Sequence, residues 1–379
     1  MTKTSDPKPL GIYLHIPFCI RRCWYCAFYS QALCSMDEPE RDRAMRRETE
    51  EILEKIRAAG KKYGEGHRVD TVFIGGGTPT VLPDGMIRRI LDEIRRSFDV
   101  EKNAEVTSES NPGTITEAKL SELREAGVNR LSIGVQSLDD SVLQTLGRIH
   151  SADEARDAVR AAKNAGFDSV SCDLMFAVPG QTMRSWKETL EGILALGPEH
   201  LSFYSLQIEE GTPFYDLYKK GDLALLDDEE DRRMYHEALR ILREAGYRRY
   251  EISSACVPGF KCRHNLKYWS LDEYLGIGKS ASSFIGGVRM TEEPFPEYHV
   301  NDRMDSAGEF MFTGLRRAEG ITFREFREKI GASFEEVYGD RMLELEEFFR
   351  AGELIRTEEG LYLSERGIDI SNRIFEVFL

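Results

Sequence analysis

Cys19, Cys23 and Cys26 stand in the run Cys19-Ile-Arg-Arg-Cys23-Trp-Tyr-Cys26, a C-x3-C-x2-C spacing. Thiolates are the usual ligands of iron–sulfur clusters. Three of them in one short loop can hold three irons of a cubane and leave the fourth iron open. A four-thiolate structural zinc site needs a second close pair. Here Cys34, Cys172, Cys256 and Cys262 are scattered. The plain alternative is three unrelated core cysteines, against which their shared loop argues. A second chemical feature is Gly75-Gly76-Gly77-Thr78-Pro79. Glycines let backbone approach a ligand, and their N–H groups can meet a carboxylate. A tight turn without a ligand would look the same.

These features need elements to position them. Short apolar strands are expected at 11–16, 71–74, 105–108, 130–134, 169–174 and 200–206. Amphipathic helices are expected at 38–59, 83–98, 116–126, 152–165 and 183–196, several followed by a capping glycine. Alternating strands and helices argue for an α/β fold with a parallel sheet or barrel. Six units make an incomplete (β/α)6 TIM-like barrel, open on one side for a large ligand. Active groups of such barrels gather at the C-terminal strand ends. The cysteine loop and the glycine run fall there, as do Glu109, Gln136, Arg148 and Asp173. Each of these polar residues alone could equally be a helix cap or a buried salt bridge.

The rest reads differently. A helix is expected at 227–245 and a strand at 247–252, then a loop-rich aromatic stretch over 256–287. From about 306, three helices, an alternating pair at 354–356 and 361–363, and a last helix suggest a C-terminal α+β extension with a small winged-helix-like module. The expected division is 1–210, 211–305 and 306–379. The 379 residues are 41% hydrophobic and carry a net charge of −15, which speaks against nucleic acid as a partner. The acidic 334–349 segment lacks the basic recognition helix that DNA binding would need. No apolar run is long enough to span a bilayer, and the polar stretch 1–10 lacks a signal-peptide core. A cytoplasmic location with reduced cysteines is expected. A peripheral membrane contact and a homodimer stay open.

His15-Ile16-Pro17-Phe18-Cys19 with the rest of the triplet resembles the radical S-adenosylmethionine (radical SAM) superfamily. More narrowly, it resembles the family of oxygen-independent coproporphyrinogen III oxidases and heme chaperones, over roughly residues 11–319. The resemblance implies a radical SAM barrel and a [4Fe-4S] cluster on Cys19, Cys23 and Cys26. It further implies S-adenosylmethionine chelating the open iron, cleaved by one-electron reduction to a 5′-deoxyadenosyl radical. By the same resemblance Tyr13, Tyr25, Gly76, Gly77, Thr78, Glu109, Gln136, Arg148 and Asp173 contact the cofactor, with Ser205 a weaker member of the set.

Two features separate the branches of that family. The oxidases resemble C-x3-C-x2-C-x-C, with a long extension before the cluster. Here Phe28 takes the place of the fourth cysteine, and eighteen residues precede Cys19. Second, His264-Asn265-Leu-Lys-Tyr268-Trp269 matches the H-N-x-x-Y-W block of the heme chaperones. An imidazole can ligate heme iron and aromatic rings can cover a porphyrin face, so His264 is a candidate heme ligand. A packed loop histidine is the alternative, and Cys256 and Cys262 compete as ligands. The leading expectation is a carrier of heme to apo-cytochromes of the respiratory chain. The others are a coproporphyrinogen III oxidase, which would make the chain a porphyrin-biosynthetic oxidoreductase, and a radical enzyme that modifies heme itself.

Overall fold

The structure is a computed structural model and describes residues 6–379. Residues 1–5, the start of the polar stretch read above, lie outside the described residues. Strand β1 (Lys8–Ile16) sets the frame. Its Leu10, Ile12, Leu14 and Ile16 are buried on one face, while Gly11, Tyr13 and His15 occupy the other, as period-two alternation requires. Strands β2 (His67–Gly76), β3 (Asp99–Ser110), β4 (Arg130–Gln136), β5 (Ser169–Phe176) and β6 (His200–Ser205) follow. Each pairs in parallel with the one before it. The expected parallel α/β core is therefore present, with strands longer than the sequence indicated.

The connecting helices are α1 (Glu38–Tyr63), α2 (Met86–Ser97), α3 (Glu117–Ala126), α4 (Asp140–Thr145), α5 (Ala152–Asn164) and α6 (Met183–Leu194). Asp37, Thr116, Ser151 and Thr182 cap α1, α3, α5 and α6 by accepting from backbone N–H groups of the first turn, which satisfies otherwise orphaned donors. Gly127, at φ 95°, ends α3 in a conformation that costs other residues strain.

The parallel run does not close on itself. After α7 (Pro213–Lys220) and α8 (Asp228–Glu244), strands β7 (Arg248–Glu251) and β8 (Ser254–Cys256) extend the sheet beyond β6. The stretch 256–287, expected to be loop-rich, holds helix α9 (Arg263–Trp269) and strands β9 (Tyr274–Ile277) and β10 (Ser282–Ile285). Strand β9 pairs in parallel with β1. Strands β11 (Val288–Thr291) and β12 (Glu297–Val300) complete a twelve-stranded sheet, with β12 at its outer edge. Four-residue strands broken by Gly278, Gly286 and Gly287 are too short to show a period.

The C-terminal part comprises α10 (Arg303–Gly314), β13 (Ile321–Thr322), α11 (Phe323–Ile330), α12 (Phe334–Tyr338) and α13 (Met342–Ala351). It continues with β14 (Leu354–Arg356), β15 (Gly360–Leu363), α14 (Glu365–Asp369) and α15 (Ser371–Glu376). Four helices, one more than expected, precede the expected strand pair; β13 is an added edge, and the last helix is split in two. Phe310, Phe326, Phe334, Tyr338 and Phe378 form its buried aromatic centre. Among the described residues no helix is long and apolar enough to cross a membrane.

Candidate cofactor site

The cysteines lie on the loop between β1 and α1. Phe18 and Cys19 pair with Gln31 and Ala32 in a short parallel ladder that ties the two ends of the loop together. Its middle is held by two further bonds: Trp24 N–H donates to the Leu146 carbonyl at 3.1 Å, and Phe214 N–H donates to the Trp24 carbonyl at 3.0 Å. All three thiols are partly buried. Burial pushes the Cys19 thiol up and that of Cys26 up to about 11; metal binding would release those protons.

Arg148 Nη1 donates to Cys23 Sγ at 3.3 Å, and Thr78 Oγ1 donates to Cys19 Sγ at 3.5 Å. A cation and a hydroxyl beside the sulfurs favour thiolates. Arg148 Nε is buried with no partner among the described residues. No group of three or more Cys, His, Asp or Glu side chains among those residues converges as for a single metal ion. A cubane instead spreads its thiolates over separate irons. The donor set, the adjacent cation and the open space beside it fit a [4Fe-4S] cluster.

The loop borders a cavity of about 520 Å3. Its inner wall comes from the C-terminal ends of the parallel strands: Gly76, Gly77 and Thr78 after β2, Glu109 on β3, Gly134 and Gln136 on β4, Asp173 on β5 and Ser205 on β6. Gly76 has φ +107°, and a Cβ there would sit 2.9 Å from the His15 ring. Gln136 holds φ 66°, where the β4–β5 ladder slips; such strain on a non-glycine residue is typical of ligand sites.

Glu109 is the electrostatic centre of this wall. Gly76 N–H donates to its Oε2 at 3.2 Å. Burial, reinforced by the charge of Asp173, raises its carboxyl to about 8. Asp173 is raised by burial as well and accepts from Ser132 Oγ at 3.2 and 3.3 Å. Two buried carboxylates favour a ligand that brings positive charge. Around them, Asn111 Nδ2 donates to Thr78 Oγ1 at 2.7 Å, and Arg148 Nη2 donates to Asn111 Oδ1 and, at 2.6 Å, to the Gly134 carbonyl. Ser205 Oγ donates to the Asp231 carboxylate on α8.

A second cavity, of about 600 Å3, lies between the cysteine loop and the outer antiparallel strands. Ala27 and Phe28 line both cavities. Tyr13, Tyr29, Tyr268 and Tyr274 line the second.

The radical SAM superfamily model matches residues 13–193, and the HemN C-terminal domain model matches residues 301–370. The heme chaperone HemW of Lactococcus lactis is 34% identical, with 98% of each chain covered. That of Escherichia coli is 33% identical, again over 98% of each. The chain belongs to the HemW family of radical SAM proteins. The solved structure of coproporphyrinogen III oxidase HemN from Escherichia coli superposes with a TM-score of 0.84 at 21% identity, covering 99% of this chain and 91% of that one. The two share a fold.

In this HemW-family chain Cys19, Cys23, Cys26, Tyr25, Gly76, Gly77, Thr78, Glu109, Gln136, Arg148, Asp173 and Ser205 all line the first cavity. Tyr13 does not. It lines the second, where its hydroxyl bonds His15 Nδ1 at 3.1 Å. His264 lines neither. It is fully buried on α9, stacked on Phe73, with Nδ1 bonded to Thr71 Oγ1 and Nε2 to Tyr268 OH, both at 2.9 Å. Burial lowers its imidazole to about 3, so it is neutral. Cys256 and Cys262 are buried too. Sequence reasoning passed over Asn111 and Tyr204 in the first cavity and Tyr29 in the second. The Glu109-Ser-Asn-Pro run at a strand end was the available signal for Asn111; Tyr29 carried none.

Proposed function

We propose that this chain is a heme chaperone that carries a [4Fe-4S] cluster and S-adenosylmethionine and hands heme to hemoprotein acceptors such as apo-cytochromes. The observation that carries this reading is similarity to HemW chaperones over nearly the whole chain. Phe28 supports it independently. It stands where the oxidase pattern has a cysteine, is 70% exposed, and lines both cavities.

Cys19, Cys23 and Cys26 would hold the cluster, and the first cavity would hold S-adenosylmethionine. Bound together, these groups supply one-electron chemistry at sulfur. The chain's own residues bind and orient. Glu109 and Asp173 answer positive charge, Gly76 and Gly77 let backbone approach, and Arg148 offsets thiolate charge. The segment 211–305 supplies Tyr268, Tyr274 and Arg289 to the wall of the second cavity, and 306–379 adds Glu309, Phe312 and Thr313. A homodimer and a peripheral membrane contact are compatible partners in this reading.

The test is anaerobic, on one cluster-loaded preparation. Titration with hemin should give a bound absorption spectrum, and mixing with an apo-cytochrome should transfer the heme. Turnover of coproporphyrinogen without hemin binding would overturn the reading in favour of the oxidase.

A further inference from the structure

The second cavity has features that packing alone does not explain. Three large aromatic side chains at its border are left in solvent: Phe28 and Phe312 line it, and Phe295 stacks edge-on against Tyr29 with ring centroids 6.4 Å apart. Phe295 is 63% exposed. Exposed aromatics clustered at the mouth of a concave site mark a surface awaiting a ligand. The inner wall is aromatic as well.

Several polar groups inside are committed, whereas the buried Trp269 indole N–H has no partner among the described residues. The hydroxyl of Tyr13 bonds His15, that of Tyr268 bonds His264, and that of Tyr274 accepts from Arg289 at 2.8 Å. His15 Nε2 bonds the Tyr29 carbonyl at 2.8 Å, so both of its ring nitrogens are occupied. Arg289 is held by Glu309 in a two-pronged pair. The exception among the cavity's four tyrosines is Tyr29, whose hydroxyl has no hydrogen-bond partner among the described residues. A phenolate oxygen is a known kind of axial ligand for ferric heme.

We infer that the second cavity is the seat of the heme, with its faces covered by Phe28, Phe295, Phe312 and Tyr268 and its iron ligated by the Tyr29 oxygen. The inference rests on the heme-carrier reading above and locates the cargo within it. Ligation forms an iron–oxygen bond to ferric heme, and the phenol proton leaves to solvent; no electron is transferred. His264 is then a positioning residue. It fixes Tyr268 through the Nε2 bond and does not reach the iron. Because Phe28 lies two residues after Cys26 and borders both cavities, the cluster loop and the cargo share a wall.

The experiment is a hemin titration of the anaerobic, cluster-loaded full chain, compared with Tyr29→Phe, Phe312→Ala and His264→Gln. Retained S-adenosylmethionine binding serves as the folding control, since none of the three positions lines the first cavity. The expected result for Tyr29→Phe is loss of the phenolate-to-iron charge-transfer band and at least tenfold weaker binding. Phe312→Ala should weaken binding with the wild-type spectrum kept, and His264→Gln should retain the phenolate band. Unchanged affinity and spectrum in Tyr29→Phe, or loss of the axial-ligand signature in His264→Gln alone, would overturn the assignment while leaving the carrier reading intact. Failure of the wild-type chain to bind hemin would overturn the carrier reading itself.

Discussion

Arg148 Nη1 donates to Cys23 Sγ at 3.3 Å, so a guanidinium from the turn after α4 touches the cysteine loop. A positive charge beside a cluster favours its reduced, more negative form, and hydrogen bonds to sulfur act in the same direction. Replacing Arg148 with Gln is therefore expected to make the cluster harder to reduce, by on the order of 60 mV, a tenfold change for one electron. A redox titration followed by electron paramagnetic resonance checks this, after iron content has shown the cluster to be loaded.

Glu109 sets a pH dependence with a definite sign. Its carboxyl lies near 8 in the folded protein against an ordinary 4.5, so between those values the folded chain keeps a proton that the unfolded chain gives up. The stabilisation is fully present below about pH 4.5 and is lost as pH rises to about 8, on the order of 3–5 kcal/mol. Denaturant unfolding of the ligand-free chain between about pH 6.5 and 8.5 should show the upper part of that fall, and Glu109→Gln should flatten it.

The histidines give the opposite slope in acid. Burial lowers His264 to about 3 and His150 to about 4, so the folded chain refuses protons that the unfolded chain accepts below about pH 6.5. Their contribution is present above pH 6.5 and is lost as pH falls toward 4. Thermal melts at decreasing pH should show Tm falling through this window, less steeply in His150→Gln.

Tyr268→Phe removes the partner of a buried ring nitrogen, since His264 Nε2 bonds only that hydroxyl. An unsatisfied buried polar atom costs about 1–3 kcal/mol. The expected outcome is a lower midpoint of chemical unfolding with an unchanged slope. An equal loss in Thr71→Val, which strips Nδ1 of its partner instead, would tie the effect to the imidazole.

Gly77→Ala is expected to fold and yet retain iron poorly. A Cβ at Gly77 would meet the Phe18 backbone, and Phe18 precedes Cys19 on the short ladder that holds the loop. Iron content after anaerobic reconstitution and gel filtration measures the loss; far-ultraviolet circular dichroism should remain as in the parent.

The legible part of this molecule follows local rules. Parallel strands such as β4 and β5 are short apolar runs between amphipathic helices, and each brings its polar residue to the same end of the sheet. That is why Glu109, Gln136 and Asp173, more than 25 residues apart in the chain, could be grouped on one wall before any geometry was known. Tyr13 illustrates what stays hidden. Its strand and its inward face are readable from alternation, but its place in the second cavity depends on β9 pairing with β1 from 260 residues away. His264 is similar. The sequence block is plain, whereas the burial that occupies both nitrogens comes from Thr71 on β2 and Phe73 beside it. Such contacts follow from long-range pairing, which no local pattern records.

The outer edge strand β12 has a consequence for colloidal behaviour. All four of its residues are exposed, Tyr298 and Val300 among them, and it pairs with β11 alone. Such an edge can zip to another of its kind. What opposes this at a distance is mutual repulsion between molecules that each carry a net charge of −15. Salt shortens the reach of that repulsion from about 30 Å at 0.01 M to about 3 Å at 1 M. Concentrated stocks should therefore keep best at low ionic strength, with turbidity rising as salt is added.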